Sequence, residues 1–79
     1  MSTVFTEAYD VSIKSVEEDQ RGGFNVVGTL VPTELAITDI ELDGHAIGVS
    51  YTFDGAVGSI ELYTREAVTP ESVFTVYLA

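Results

Sequence analysis

The amino-acid sequence predicts an all-β fold, a small antiparallel β-sandwich or barrel of about six to seven short strands. Runs rich in β-branched and aromatic residues recur at intervals of about ten residues, with turn residues between them. Apolar and polar side chains alternate within these runs, as they do in strands that bury one face. Helical apolar stripes are missing, and 46% apolar residues are enough to form a core.

The six main strands lie where this alternation is clearest, and a seventh, short strand is predicted at 3–6. Glycine, proline or acidic residues separate most of these runs, and such residues favour turns. Together the strands form a single domain over residues 1–79. The six main strands are predicted at 9–17, 24–31, 35–42, 45–53, 57–64 and 73–78.

Three turns can be assigned from residue type. The Asp-Gly pairs at 43–44 and 54–55 predict tight hairpins, because type I′ turns need positive φ at both central positions. Gly22 and Gly23 close a polar loop, and glycine adopts positive φ without steric cost. These turns connect neighbouring antiparallel strands.

Aromatic residues divide into an inward and an outward group. The inward group, expected in the core, comprises Phe24, Tyr51, Phe53 and Phe74. Tyr63 and Tyr77 lie opposite apolar rows, and we expect them to be exposed. Exposed tyrosines are typical of protein–protein contacts, although cross-strand aromatic pairing is the alternative.

Strand 24–31 carries apolar residues on both faces, which indicates that a neighbouring molecule covers one of them. Val27 and Val31 form the second apolar row of this strand. We therefore take Val27, Val31, Tyr63 and Tyr77 as candidate interface residues.

Charge is the strongest compositional signal. Thirteen acidic residues oppose three basic ones, so the formal net charge is −10. Self-repulsion of this size weakens a compact state in dilute buffer, and halophilic proteins exploit the same effect. At molar salt the Debye length falls to ~3 Å, which screens the repulsion.

The many Asp and Glu with almost no Lys, spread along the chain, resemble the composition of salt-adapted proteins of haloarchaea and their viruses. This resemblance implies that folding weakens as salt is removed. An ordinary acidic protein, or one whose acids bind cations or a basic partner, is the alternative. Dispersal of the acids favours salt adaptation, since interaction tails concentrate like charges.

Composition also excludes several classes of protein. The chain has no cysteine, which rules out disulfides, thiolate metal sites and thiol catalysis. Three basic residues cannot supply the phosphate contacts that nucleic-acid binding needs. No apolar run approaches the ~20 residues of a membrane span. The first ten residues lack the features of a secretory signal peptide.

The stretch DIELDGH, residues 39–45, is the strongest candidate site. Asp39, Glu41, Asp43 and His45 fall on alternate positions, which share one face of an extended strand. Their oxygen atoms suit Ca²⁺ or Mg²⁺, but successive carboxylates on one strand face are ~7 Å apart. The spacing also differs from that of an EF-hand loop. We interpret the stretch as a hairpin with a solvated face, and no cofactor is expected.

These observations favour a structural, non-enzymatic subunit of a larger assembly, either a homo-oligomer or a capsid-like shell. The concrete form is a small virion protein, a capsid decoration or turret, of a haloarchaeal virus. Small domains without disulfides often depend on oligomerisation, and no motif with a catalytic mechanism is present. A free-standing protein-binding module in the cytoplasm of a halophile is the first alternative. A divalent-cation-binding protein or small enzyme using the 39–45 hairpin is the second.

Overall fold

The computed structural model describes residues 6–79, and every regular element in this range is a β-strand. Two four-stranded antiparallel sheets pack together, which confirms the predicted all-β sandwich. The strand predicted at 3–6 lies outside the described residues, apart from Thr6. The range 6–79 holds no helix long and apolar enough to cross a membrane. The strands are β1 (Glu7–Asp10), β2 (Ser12–Glu18), β3 (Phe24–Thr29), β4 (Ile37–Leu42), β5 (His45–Ala46), β6 (Ser50–Asp54), β7 (Ser59–Thr64) and β8 (Phe74–Leu78).

The first sheet has the strand order β1-β8-β4-β5, and the second has the order β2-β3-β7-β6. At two places the chain passes from an edge strand of the first sheet to an edge strand of the second. After Val11 it passes from β1 to β2, and through residues 47–49 it passes from β5 to β6. Strands that switch sheets in this way make the corners of a sandwich.

The two corners correct the predictions of single strands at 9–17 and 45–53. Each of these runs forms two strands that belong to different sheets. Their sequence alternation is continuous because the residues within each bend still face the core. Val11 is buried, while Ile47 and Val49 are half-buried and pack against the core.

The core lies between the inner faces of the two sheets. Phe74, Val76 and Leu78 have no exposed surface, because β8 is flanked by β1 and β4 and covered by the second sheet. Ile60 and Leu62 of β7 are equally inaccessible at 1–2% exposure. These are the apolar rows that lie opposite Tyr63 and Tyr77, and both rows face the core.

The predicted aromatic core is correct in part. Phe74 is fully buried, and Phe24 and Phe53 are half-buried against the core. The prediction for Tyr51 is wrong, since this side chain is 47% exposed. Tyr51 is paired with buried Leu62, but β6 is an edge strand whose open side leaves the ring accessible.

The turn at 43–44 has the predicted geometry. Asp43 and Gly44 both have positive φ, 51° and 86°, and they connect β4 to β5 directly. Gly22 and Gly23 also have positive φ, as expected for the loop between β2 and β3.

The hairpin at 54–55 exists, but the predicted type I′ turn is wrong. Four residues, 55–58, connect β6 to β7, and the positive φ of 77° falls on Gly58. The Gly58 amide donates to the Asp54 carbonyl at 2.8 Å, and the Ala56 amide donates to Asp54 Oδ1 at 3.1 Å. The side chain of Asp54 therefore organises a longer loop.

Gly28 on β3 permits the close approach at the first corner. A Cβ added there would lie 2.5 Å from Val11 Cγ1 and 2.7 Å from the Ser12 carbonyl oxygen. We expect Gly28→Ala to lower the free energy of unfolding by about 1–3 kcal/mol, the usual cost of overpacking. Urea denaturation at molar salt measures this loss.

Gly48→Ala is the matched control, because a Cβ at Gly48 would meet no atom within 4 Å. Equal losses of unfolding free energy in the two variants would show that the corner does not require a residue without a Cβ at position 28.

Candidate functional site

The 39–45 hairpin lies at one edge of the first sheet. The Asp39 Oδ1 atom accepts a hydrogen bond from the amide of Ile40 at 2.9 Å. The Glu41 Oε1 atom accepts a hydrogen bond from the Tyr77 hydroxyl of β8 at 2.7 Å. Each carboxylate thus has a partner within the first sheet.

Asp43 fastens the turn to the segment that leads into β8. Its amide donates to the Val73 carbonyl at 2.8 Å, and its Oδ1 atom accepts from the Val73 amide at 2.8 Å. Short polar side chains tolerate positive φ better than most, so Asp43 suits this position on both grounds.

The four candidate ligands do not converge on a cation. Within residues 6–79, no group of three or more His, Asp or Glu side chains is placed to hold a metal ion. Asp43 is turned toward Val73, while exposed His45 stands across the hairpin from Leu42. The geometry is that of a hairpin stabilised by its own acids.

Tyr77 lies among carboxylates on the outer face of the first sheet. The hydrogen bond that it donates to Glu41 raises the pKa of Tyr77, with further contributions from burial and from the charges of Glu41, Asp39 and Asp10. On the same face, Thr75 donates to Asp10 at 3.0 Å. The Tyr77 hydroxyl therefore serves as a hydrogen-bond donor to Glu41 within the first sheet.

A polar cluster that the sequence analysis missed lies at the β2–β3 loop. Asp19 accepts hydrogen bonds from the Arg21 amide and Nε, both at 2.8 Å, and from Asn25 Nδ2 at 2.7 Å. The guanidinium of Arg21 lies 4.6 Å from the centre of the Tyr63 ring. Tyr63 in turn donates to the Gly22 carbonyl at 2.7 Å. We call Asp19, Arg21, Asn25 and Tyr63 the loop clasp.

The four candidate interface residues do not share one surface. Val27, 37% exposed, is on the outer face of the second sheet, where its neighbour β7 carries Tyr63. Val31 is in the connection after β3, and Tyr77 is on the outer face of the first sheet. A single flat contact would not include all four residues.

Within the described part of the chain, the sandwich is open along one side, between β4 and β6. β4 is paired with β5 at Glu41 and Leu42, and no described strand covers residues 37–40 on that side. β6 is the edge strand of the second sheet. A cavity of about 180 Å³ occupies the gap, and we call it the open slot. Its apolar lining consists of Ile37, Ile40, Ile47, Val49 and Tyr51.

The open slot could not be foreseen from the prediction of a single strand at 45–53 that follows 35–42 through the Asp-Gly turn. The chain leaves β4 after two paired residues, because residues 47–49 cross to the second sheet. An isolated glycine inside a strand-like run signals an irregularity in the strand, and Gly48 in this crossing is such a glycine.

Two other cavities are shallow and lie on the surface of the second sheet. One of about 190 Å³ includes Glu61 and Tyr63, and one of about 310 Å³ includes Arg65 and Tyr63. Ser50 and Tyr63 line both cavities.

Comparisons with protein-family models, with curated proteins and with solved structures found no match to this chain. The interpretation of its surfaces therefore depends on their own geometry and charge.

Asp43 provides a test of the structural role of the hairpin. We expect Asp43→Ala to lower the free energy of unfolding by about 0.5–1.5 kcal/mol, because the hydrogen bond from the Val73 amide is lost. Asp43→Asn keeps an acceptor oxygen and tolerates positive φ, so its loss should be much smaller. Urea denaturation at molar KCl, with and without Ca²⁺, measures both effects. Equal losses, or a Ca²⁺-dependent gain confined to the unmodified chain, would contradict the structural role.

Asp19 provides a pH test of the loop clasp. Hydrogen bonds from Arg21 and Asn25 hold the pKa of Asp19 well below its usual range. A carboxyl whose pKa is lower in the folded state stabilises the fold above its unfolded pKa, about 3.9, and this stabilisation is lost as pH falls. The stability difference between the natural chain and Asp19→Asn should therefore be largest near neutral pH and shrink below about pH 4.

The measurement is the urea midpoint of each variant at several pH values, with Glu66→Gln as an exposed control. A constant difference between the natural chain and Asp19→Asn across the acid range would exclude the assigned role of Asp19.

Proposed function

We propose that this chain is a non-enzymatic structural subunit of a larger protein assembly that functions at high salt. The concrete form is a small virion protein of the capsid decoration or turret type from a haloarchaeal virus. The proposal depends chiefly on apolar side chains that are exposed on several parts of the surface. Among the described residues, the large apolar side chains that are more than a third exposed are Val27, Val31, Leu35, Tyr51, Val57 and Val73.

The positions of these side chains support contacts with more than one neighbour. Val27 lies on the outer face of the second sheet, and Tyr51 borders the open slot. Val57, 64% exposed, lies in the β6–β7 loop, and Val73 lies beside the Asp43 turn. Single exposed apolar residues are common in monomers. A subunit contacted from several sides uses such residues on more than one face.

The balance of charge supports assembly at high salt. Among the described residues, the one ion pair joins Arg21 to Asp19 at 2.8 Å. Most of the thirteen acids therefore have no cationic partner. Copies of a chain with charge −10 repel one another in dilute buffer. Molar salt screens this repulsion and leaves apolar contacts intact, so association should strengthen with salt.

The internal roles of the 39–45 carboxylates support a structural protein over the alternatives of cation binding and catalysis. Glu41 and Asp43 accept hydrogen bonds from Tyr77 and Val73. A free-standing binding module in a halophile has the same fold and charge, and it differs in remaining monomeric.

Sedimentation and thermal melting between ~0.01 M and ~1 M KCl test the proposal. We expect both association and the melting temperature to rise with salt, and the melting temperature at molar salt to rise with protein concentration. Oligomers stabilise their folded subunits in this concentration-dependent way.

Sucrose is the control, because it favours burial without screening charge. A chain that remains monomeric at molar salt, with melting independent of concentration, would favour the free-standing module. A melting temperature that does not respond to KCl would remove the argument for salt adaptation.

A further inference from the structure

We infer that the edge strand β6 is the contact between two copies of this chain. In this arrangement, β6 of each copy pairs antiparallel with β6 of the other, and the two second sheets merge into one continuous sheet. The inference rests on the proposed assembly function and names the interface that it uses. The charge distribution and the strand register both favour a second copy of this chain as the partner that pairs with β6.

β6 has the properties of an edge that accepts another strand. Edge strands present unpaired N–H and C=O groups on alternate residues, and proteins usually protect them with charges, prolines, bulges or short length. The sequence of β6, SYTFD, has no lysine or proline, and its acid is at the last position, Asp54. Its pairing with β7 runs over five residues without a register shift.

The other three edge strands that residues 6–79 form carry protection. β2 has a bulge between Ile13 and Ser15, with Lys14 at the bulge, and it ends in two glutamates. β1 has four residues with an acid at each end, and β5 has two residues. The contrast identifies β6 as the edge that is left open.

Charge limits where two copies can meet, because each carries −10. Residues 44–53 contain no acid, and they include all of β6 except Asp54. An antiparallel pair centred on Thr52 places Asp54 opposite Ser50 of the second copy. A parallel pair would bring the two Asp54 carboxylates together, and like charges directly opposite each other are unfavourable.

The same register accounts for the exposure of Tyr51. Tyr51 and Phe53 share the inner face of β6, since they are paired with the buried residues Leu62 and Ile60. Centred pairing sets Tyr51 opposite Phe53 of the second copy, twice in each dimer. Cross-strand aromatic pairs of this kind stabilise antiparallel sheets. The second copy would also cover the mouth of the open slot beside Tyr51.

Substitutions at Ser50 test the register, because they change the charge that faces Asp54 of the second copy. Ser50 is exposed, so either variant should fold. We expect Ser50→Lys to tighten the dimer and Ser50→Asp to weaken it. The change should be about two- to thirty-fold at ~0.1 M KCl, since the altered pair occurs twice. Both effects should shrink at molar salt.

The measurement is the dimer dissociation constant from sedimentation equilibrium. Ser12→Lys is the matched control, because it makes the same change in net charge on the protected edge strand β2. Thr52→Cys gives a second readout: it should form a disulfide-linked dimer on mild oxidation, and Ser12→Cys should do so much more slowly. Opposite effects of the two Ser50 variants, together with this crosslink, would support the β6 contact.

Other outcomes distinguish the contact from the function. If the chain associates but Ser50→Lys behaves like Ser12→Lys and Thr52→Cys does not crosslink, the β6 contact is wrong and the assembly function stands. A chain that stays monomeric at every salt concentration overturns both. Tight binding of an extended apolar peptide in the open slot by the monomer would favour the free-standing module.

Discussion

The fold depends on two bends that take the chain from one sheet to the other. At the first bend, the Val11 amide donates to the Phe74 carbonyl at 2.8 Å, so the backbone remains paired with β8 as it leaves β1. Gly28 on the opposing strand leaves room for Val11. Because each bend fixes one strand in each sheet, the bends also fix how the inner faces meet. The arrangement of Phe74, Ile60 and their neighbours in the core follows from this.

The fold class could be read from the sequence because alternation and turn residues report on burial locally. The six predicted runs correspond to the eight observed strands once the two bends are recognised. The bends themselves were hidden, because Val11, Ile47 and Val49 keep facing the core while the chain changes sheets. The end of a sheet is decided by which strands pair with each other, and the alternation of side chains along one strand does not show this.

The candidate site shows the same division between local and non-local information. The turn at Asp43 and Gly44 was predictable, because positive φ selects these residue types. The partners of Glu41 and Asp43 were not, since Tyr77 and Val73 are about thirty or more positions away in the sequence. The contribution of Tyr63 to the loop clasp was hidden for the same reason, because Tyr63 reaches Arg21 and Gly22 from another strand. A run of acids in sequence therefore says little about whether those acids are free to bind a ligand.

The position of β8 has a consequence for the order in which the molecule forms. β8 pairs with β1 on one side and with β4 on the other, although it follows both of them in the sequence. The second sheet, by contrast, is built from strands that precede residue 65. During synthesis, β1 and β4 must therefore wait for a strand made later, with their apolar faces uncovered. Contacts between such distant segments slow folding, and exposed strands in the meantime are prone to pair wrongly. In a chain this acidic, charge repulsion between incompletely folded copies would oppose such wrong pairing until β8 has been made. The same charge would oppose assembly of the folded copies until salt screens it.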